Sequence, residues 1–167
     1  ELRRSYSICS TPNSGELKVS VKEVADGRFS SYANNELKAG DQLEVFLPEG
    51  KFTFIPSADA GHRTYAAFAA GSGITPVMSI IKTALTEEEH SKFVLVYGNR
   101  TPEETIFFKE LLELQASYPD RFFVEFVYSR TQNENSFFGR IERSTVNFVM
   151  KNKFKGHNFS DVYLCGP

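Results

Sequence analysis

From residue 64 onward the sequence alternates short apolar runs with longer amphipathic stretches, and that rhythm restricts the possible folds more than any other feature. Residues 64–70, 93–97 and 122–128 are apolar runs of strand length, whereas 76–85 and 103–117 carry helical periodicity. Strands that are apolar on both faces and joined by helical crossovers imply a parallel sheet covered by helices. Pro102, Glu103 and Glu104 suit the first turn of the second helix, and Leu111, Leu112 and Leu114 are expected to face the sheet. Residues 131–139 read as a polar loop, Ser144 as the cap of a short helix to Met150, and 162–165 as a last strand.

The first fifty residues obey a different period. Ser5-Tyr6-Ser7-Ile8, then Leu17, Val19 and Val21, then Leu43, Val45 and Leu47 alternate in the manner of three antiparallel strands. Pro48, Gly50 and Pro56 punctuate the exit. The chain is therefore expected to divide at residues 57–63, into 1–58, part of an antiparallel barrel, and 59–167, a parallel α/β domain. Glu1 opens directly on strand-like residues and Pro167 follows an apolar strand, so the expectation is a piece of a longer protein, truncated at both ends.

Composition removes several classes. With 167 residues, 41% hydrophobic, the chain is long enough for a core. Nineteen basic against 21 acidic residues, with no long block of one sign, gives no reason to expect nucleic acid as a partner. The longest apolar stretch, 65–81, is interrupted by Gly71, Gly73 and Pro76, so no membrane span is expected. Two cysteines, Cys9 and Cys165, form neither a CxxC nor a disulfide framework, which points to a reducing, cytoplasmic setting. Oligomeric state is left open.

Three short motifs carry the chemistry. Gly71-Ser72-Gly73-Ile74-Thr75-Pro76 follows a strand and opens a helix: bare backbone at two glycines admits a ligand, and the helix start aims N–H groups at it. Pyrophosphate or a nicotinamide ribose fits, although Pro76 stands where the third glycine of the dinucleotide fingerprint would be, and a simple tight turn needs the same glycines. Arg4-Ser5-Tyr6-Ser7 sets a guanidinium and a ring on one strand face beside a hydroxyl, as a flat anionic ligand or an ordinary edge strand requires. Gly27-Arg28-Phe29-Ser30-Ser31 is either a second phosphate cradle or a common serine turn.

In this order, and ending in Cys165-Gly166-Pro167, the motifs resemble the ferredoxin–NADP reductase superfamily across nearly the whole chain. Arg-Phe-Ser at 28–30, Gly-Ile-Thr-Pro at 73–76, Tyr-Gly-Asn-Arg at 97–100 and Leu-Cys-Gly-Pro at 164–167 look closest to reductase components of phenylacetyl-CoA oxygenases and related hydroxylases. The resemblance implies an FAD-binding barrel followed by a Rossmann-like NAD(P)-binding domain. It implies that Arg4 meets the FAD pyrophosphate, that Tyr6 lies against the isoalloxazine and that Ser7 is near flavin N5. Lys22, Gly27 and the Arg28, Phe29 and Ser30 amides would complete the flavin site, while Ser31 stands where many relatives have asparagine or threonine. Gly71, Gly73, Thr75 and Pro76 would face the nicotinamide nucleotide, with Thr75 at the meeting of the two rings and Cys165 and Gly166 beside the nicotinamide.

Ser7, Thr75 and Cys165 are thus the expected catalytic positions, in a flavoenzyme that takes hydride from NAD(P)H and passes single electrons to a ferredoxin domain or oxygenase component. Asn99-Arg100 and Ser129-Arg130 sit at strand ends, where such sheets bind ligands. In the resemblance, Ser129-Arg130 matches a 2′-phosphate clamp and leans toward NADPH, with NADH open. A [2Fe–2S] domain in the parent protein is compatible with the family, but this chain has no cysteine cluster for one. The rival reading is a non-catalytic nucleotide-binding regulatory module on the same fold. His62, His90 and His157 lie far apart in sequence without metal-ligand spacing, so no metal site is expected, and Glu87-Glu88-Glu89 reads as a solvated helix end.

Overall fold

The structure is a computed structural model that describes residues 3–57 and 61–167. The expected boundary at 58/59 falls on residues outside that description, as does Glu1. Five strands form one parallel sheet: β1 (Thr64–Ala70), β2 (Lys92–Asn99), β3 (Phe122–Tyr128), β4 (Ser136–Phe138) and β5 (Phe159–Cys165), in the order β4-β3-β2-β1-β5. Between them run α2 (Ile74–Glu87), α3 (Phe108–Ser117) and α4 (Arg143–Phe148), the last continuing into a π-helical turn at Val149–Lys153; α1 (Arg28–Asn35) lies in the amino-terminal part.

The alternation of side chains along each strand divides the core into two layers. Tyr65, Ala67, Ala69, Phe93, Leu95, Tyr97 and Phe126 point to the side covered by Ile74, Met78, Ile81 and Leu111 from α2 and α3. Ala66, Phe68, Val94, Val96 and Val127 point to the other side, under Val149 and Phe154. The alanines of β1 allow close helix packing on this strand, which β2 and β5 flank, and that is why a strand poor in β-branched residues is stable there.

Several sequence expectations need correction. The polar loop at 131–139 contains β4, whose three residues extend the sheet beside β3. α3 begins five residues later than expected: Thr105 N closes a turn on Pro102 O, and Phe107 has φ 61° at the helix start, which interrupts helical backbone. Leu111 is fully buried, but Leu112 is 43% exposed and faces away from the sheet. Glu142, not Ser144, precedes the first residue of α4. Glu88 is 2% exposed rather than solvated: its carboxylate accepts the Tyr65 hydroxyl at 2.7 Å and Ser57 N at 3.1 Å.

The three antiparallel strands expected before residue 50 are narrower still. Among the described residues they are reduced to one antiparallel bridge, Ile8 with Val19, where Cys9 N donates to Lys18 O at 2.9 Å. Among the same residues the other alternating segments have no ladder partner, and Val45, Phe46, Leu47 and Ile55 are exposed. A period of two sets which face of a strand is apolar without supplying the neighbouring strand that makes it one. This part is held on the sheet domain by the Ser79 hydroxyl donating to Ser10 O (2.7 Å), Asn13 Nδ2 donating to Glu87 (2.8 Å) and Lys22 reaching Glu104.

Candidate functional site

The chain lays β1 to β4 outward in one direction and then returns to place β5 on the opposite side of β1. That reversal opens a crevice at the carboxyl ends of β1 and β5, the place where open α/β sheets bind ligands. The segments filling it are Gly71–Gly73, a 3₁₀ turn, and the Cys165-Gly166 strand end. They meet backbone to backbone. A Cβ at Gly73 would stand 2.5 Å from the carbonyl carbon of Cys165 and 2.8 Å from Gly166 N, and one at Gly166 would stand 3.0 Å from Ala70 N. Gly71, with φ +53°, has open space where its Cβ would be. The glycines therefore differ: Gly73 seals the crevice and Gly71 leaves it clear.

Thr75 lies in the first turn of α2, with its hydroxyl donating to Ser72 O at 3.0 Å; Pro76 is third in that helix, where no N–H is required. The Tyr97 hydroxyl, on the neighbouring strand, donates to Gly71 O at 2.9 Å and fixes the turn from below. Burial pushes the Tyr97 and Tyr128 pKa values up, so both remain O–H donors. Gly71, Gly73, Thr75, Pro76, Cys165 and Gly166 are thus brought together as the sequence implies.

Asn99-Arg100 and Ser129-Arg130 are also brought together. Past the paired ends of β2 and β3, Ser129 N donates to Asn99 O and Arg130 N to Arg100 O, both at 3.0 Å. Arg130 is exposed, while Arg100 lies 3.7 Å from Glu104. Asn99 Nδ2 and the Tyr128 hydroxyl are buried here without a hydrogen-bond partner. Exposed Arg130 and the bare backbone of Gly71 stand at the same carboxyl edge of the sheet, where such sheets bind ligands. The residues present therefore fit a nucleotide.

On the amino-terminal side, the Tyr6 ring packs 5.5 Å from Phe29, and Phe29 packs 6.3 Å from Tyr32, so the Arg4–Ser7 segment meets the start of α1. The Ser30 hydroxyl is turned inward: it accepts Val24 N and donates to Gly27 O. Ser31 N already donates to Gly27 O. The amides of Arg28, Phe29 and Ser30 remain as the free helix-start donors. Arg4 and Ser7 are exposed, and the Arg4 guanidinium donates to Arg3 O at 2.7 Å. The Lys22 ammonium, expected at the flavin, donates to Glu104 O at 3.2 Å and so touches the loop after β2. Tyr97, Glu104 and Tyr128 are site residues that sequence reading misses: both tyrosines sit inside apolar runs, and the glutamate reads as helix.

Residues 68–167 match the oxidoreductase NAD-binding domain, and residues 1–54 match the oxidoreductase FAD-binding domain. The chain belongs to the ferredoxin–NADP reductase superfamily. Its cofactors are accordingly FAD and a nicotinamide nucleotide. This reductase-family chain is 39% identical to a component of the 1,2-phenylacetyl-CoA epoxidase of Escherichia coli (strain K12), over all of the chain and 47% of that protein. It is 44% identical to the ferredoxin reductase component of 3-ketosteroid-9-alpha-monooxygenase from Rhodococcus rhodochrous, over 71% of the chain and 32% of that protein. Among solved structures, the Amycolatopsis cytochrome P450 reductase aligns over 99% of the chain and 49% of its own length, with TM-score 0.81 and 26% identity. The Neisseria gonorrhoeae ferredoxin NADP+ reductase with bound FAD and NADP shares the fold at TM-score 0.66 and 20% identity, over 96% of the chain and 64% of its own length. The chain spans less than half the length of the two curated relatives named here.

Proposed function

We propose that the full protein is a flavin-dependent electron-transfer reductase that serves an iron–sulfur or oxygenase partner, in phenylacetate-type aromatic degradation and in the cytoplasm. When bound, the nicotinamide supplies hydride and the FAD accepts it and releases electrons singly. The observation that carries this reading is the Gly73 to Cys165-Gly166 seam at the sheet's reversal point, with the Tyr6–Phe29 segment attached to the same sheet domain.

The residues of the chain bind and orient rather than transfer protons. Gly71 leaves the crevice open, and Tyr97 and Thr75 hold the turn in one conformation from opposite sides, a preorganisation that aligned hydride transfer needs. Tyr6 and Phe29 offer an aromatic wall, and the α1 amides together with Arg4 and Arg28 offer positive charge for a pyrophosphate. Cys165 closes the nicotinamide side through its backbone. Exposed Arg130 beside Ser129 supports a preference for NADPH, since a guanidinium pairs well with a 2′-phosphate. The proposed division into flavin and nucleotide parts, 1–58 and 59–167, is supported by family matches that end at residue 54 and resume at residue 68.

The test is visible absorption of the full-length protein, purified without added cofactor, before and after anaerobic NADPH. Flavin bands that bleach on NADPH are expected, and absorbance persisting at longer wavelength would report an iron–sulfur centre. A colourless protein that takes up no FAD would overturn the reading in favour of a nucleotide-binding regulatory module.

A further inference from the structure

The amino edge of the sheet, opposite the cofactor crevice, gathers all three histidines of the chain. Thr64 of β1 pairs in register with Lys92 of β2 and with Phe159 of β5. His62, His90 and His157 each stand two residues before one of those partners, so parallel pairing sets them side by side although 28 and 67 residues separate them along the chain. They line one pocket of about 250 Å³ with Thr64, Lys92, Gly156 and Asn158. The His62 and His90 rings are 5.3 Å apart, and His157 is held edge-on against Phe154 at 5.6 Å.

Chemistry decides what such a pocket takes. Its lining carries an ammonium, three imidazoles, a hydroxyl and an amide, and no carboxylate. Lys92 repels a divalent cation, and among the described residues no group of three or more His, Cys, Asp or Glu side chains is arranged to hold a metal. An oxyanion, by contrast, accepts hydrogen bonds from every polar side chain present, and it pairs with the Lys92 ammonium. The volume lies below the about 300–1,000 Å³ of pockets for drug-sized ligands, which suits a small phosphate group and not a dinucleotide.

We propose that His62, His90, Lys92 and His157 form an oxyanion site, phosphate-like in preference, separate from the cofactor crevice. Its charge environment is mixed. Arg63 and Lys155 add positive charge nearby in the chain; Glu89 adjoins His90, and Glu88 and Asp161 lie in electrostatic reach of the Arg63 guanidinium, which bonds the Tyr65 hydroxyl.

The experiment is a titration of the full-length protein with inorganic phosphate at one fixed pH. Imidazole proton NMR resonances are followed, with chloride at matched ionic strength as the reference. Expected are saturable shifts at all three histidines, and about tenfold weakening in Lys92→Met and in His62→Gln/His90→Gln. NAD(P)H oxidation stays unchanged in those variants. Arg130→Ala retains the phosphate response, which separates this site from the one proposed for a nucleotide 2′-phosphate. Shifts equal to those with chloride, insensitivity to Lys92→Met, loss of the response in Arg130→Ala, or a response to zinc ion in place of phosphate would each overturn the proposal.

Discussion

Gly73→Ala tests the seam between the glycine turn and β5. The added Cβ would stand 2.5 Å from the Cys165 carbonyl carbon, where ordinary contact starts at 3.4 Å. Every near neighbour is backbone of a paired strand, so no side chain can rotate aside. The Cys165 carbonyl oxygen lies closer still, so the turn and the strand end must separate by at least about 0.9 Å, and a displacement near 1 Å in an aligned reacting pair costs on the order of 100-fold in rate. We therefore expect kcat/KM for NAD(P)H oxidation by the full-length flavoprotein to fall about 100-fold while FAD content is retained. Gly71→Ala is the comparison: its Cβ meets no protein atom, so the positive φ and a nucleotide seated in the crevice are what oppose it. That strain is about 1–2 kcal/mol, a factor of about 5 to 30, and crowding of the nucleotide appears in KM, whereas the Gly73→Ala loss appears in kcat. Steady-state kinetics and flavin absorbance measure both. If Gly73→Ala stays within about threefold of the parent, or if Gly71→Ala matches it, the seam does not align the reacting groups.

Arg130→Ala is expected to raise the KM for NADPH about 10- to 100-fold, the value of one charge-assisted hydrogen bond, and to leave the KM for NADH nearly unchanged; equal losses with both nucleotides would refute the clamp. Leu111→Ala should destabilise folding by about 2–5 kcal/mol and exposed Leu112→Ala by less than about 0.5 kcal/mol, read by urea unfolding; equal effects would mean that α3 docks differently. Burial chiefly, with the Glu88 hydrogen bond adding and Arg63 opposing, raises the Tyr65 pKa from 10.0 to about 12. The folded chain then keeps a proton that the unfolded chain loses. The Tyr65 contribution is therefore complete below about pH 10, declines as pH rises to about 12 and is level beyond. Tyr65→Phe should flatten that segment of a stability–pH curve, and an unchanged slope would reassign it.

The parallel sheet was readable because burial on both faces leaves uninterrupted apolar runs: β1 and β3 begin and end where the sequence places them, at Thr64–Ala70 and Phe122–Tyr128. The glycine turn was readable because glycine there answers a local need of the backbone. What escaped were features made by distant partners. Glu88 looks like one of three surface acids until Tyr65, 23 residues away, supplies a donor. The histidines look scattered until strand register aligns them. Phe107 in a left-handed conformation shortens α3 although nothing in its side chain announces it. The amino-terminal alternation is real, yet only Ile8 and Val19 find each other among the described residues.

Helix α2 has a mechanical consequence for the two halves of the molecule. Its first turn is continuous with the glycine turn, and six residues along it Ser79 holds the backbone of Ser10; nearer its far end Glu87 holds Asn13. Fourteen helical residues make a rod about 21 Å long. A rocking motion of the amino-terminal segment is thus resisted by a shaft rooted in the crevice. Either the bonds at Ser10 and Asn13 break, or the motion turns the shaft and carries Gly71–Gly73 with it, so the flavin-side and nucleotide-side walls drift together and their separation is buffered against thermal sway.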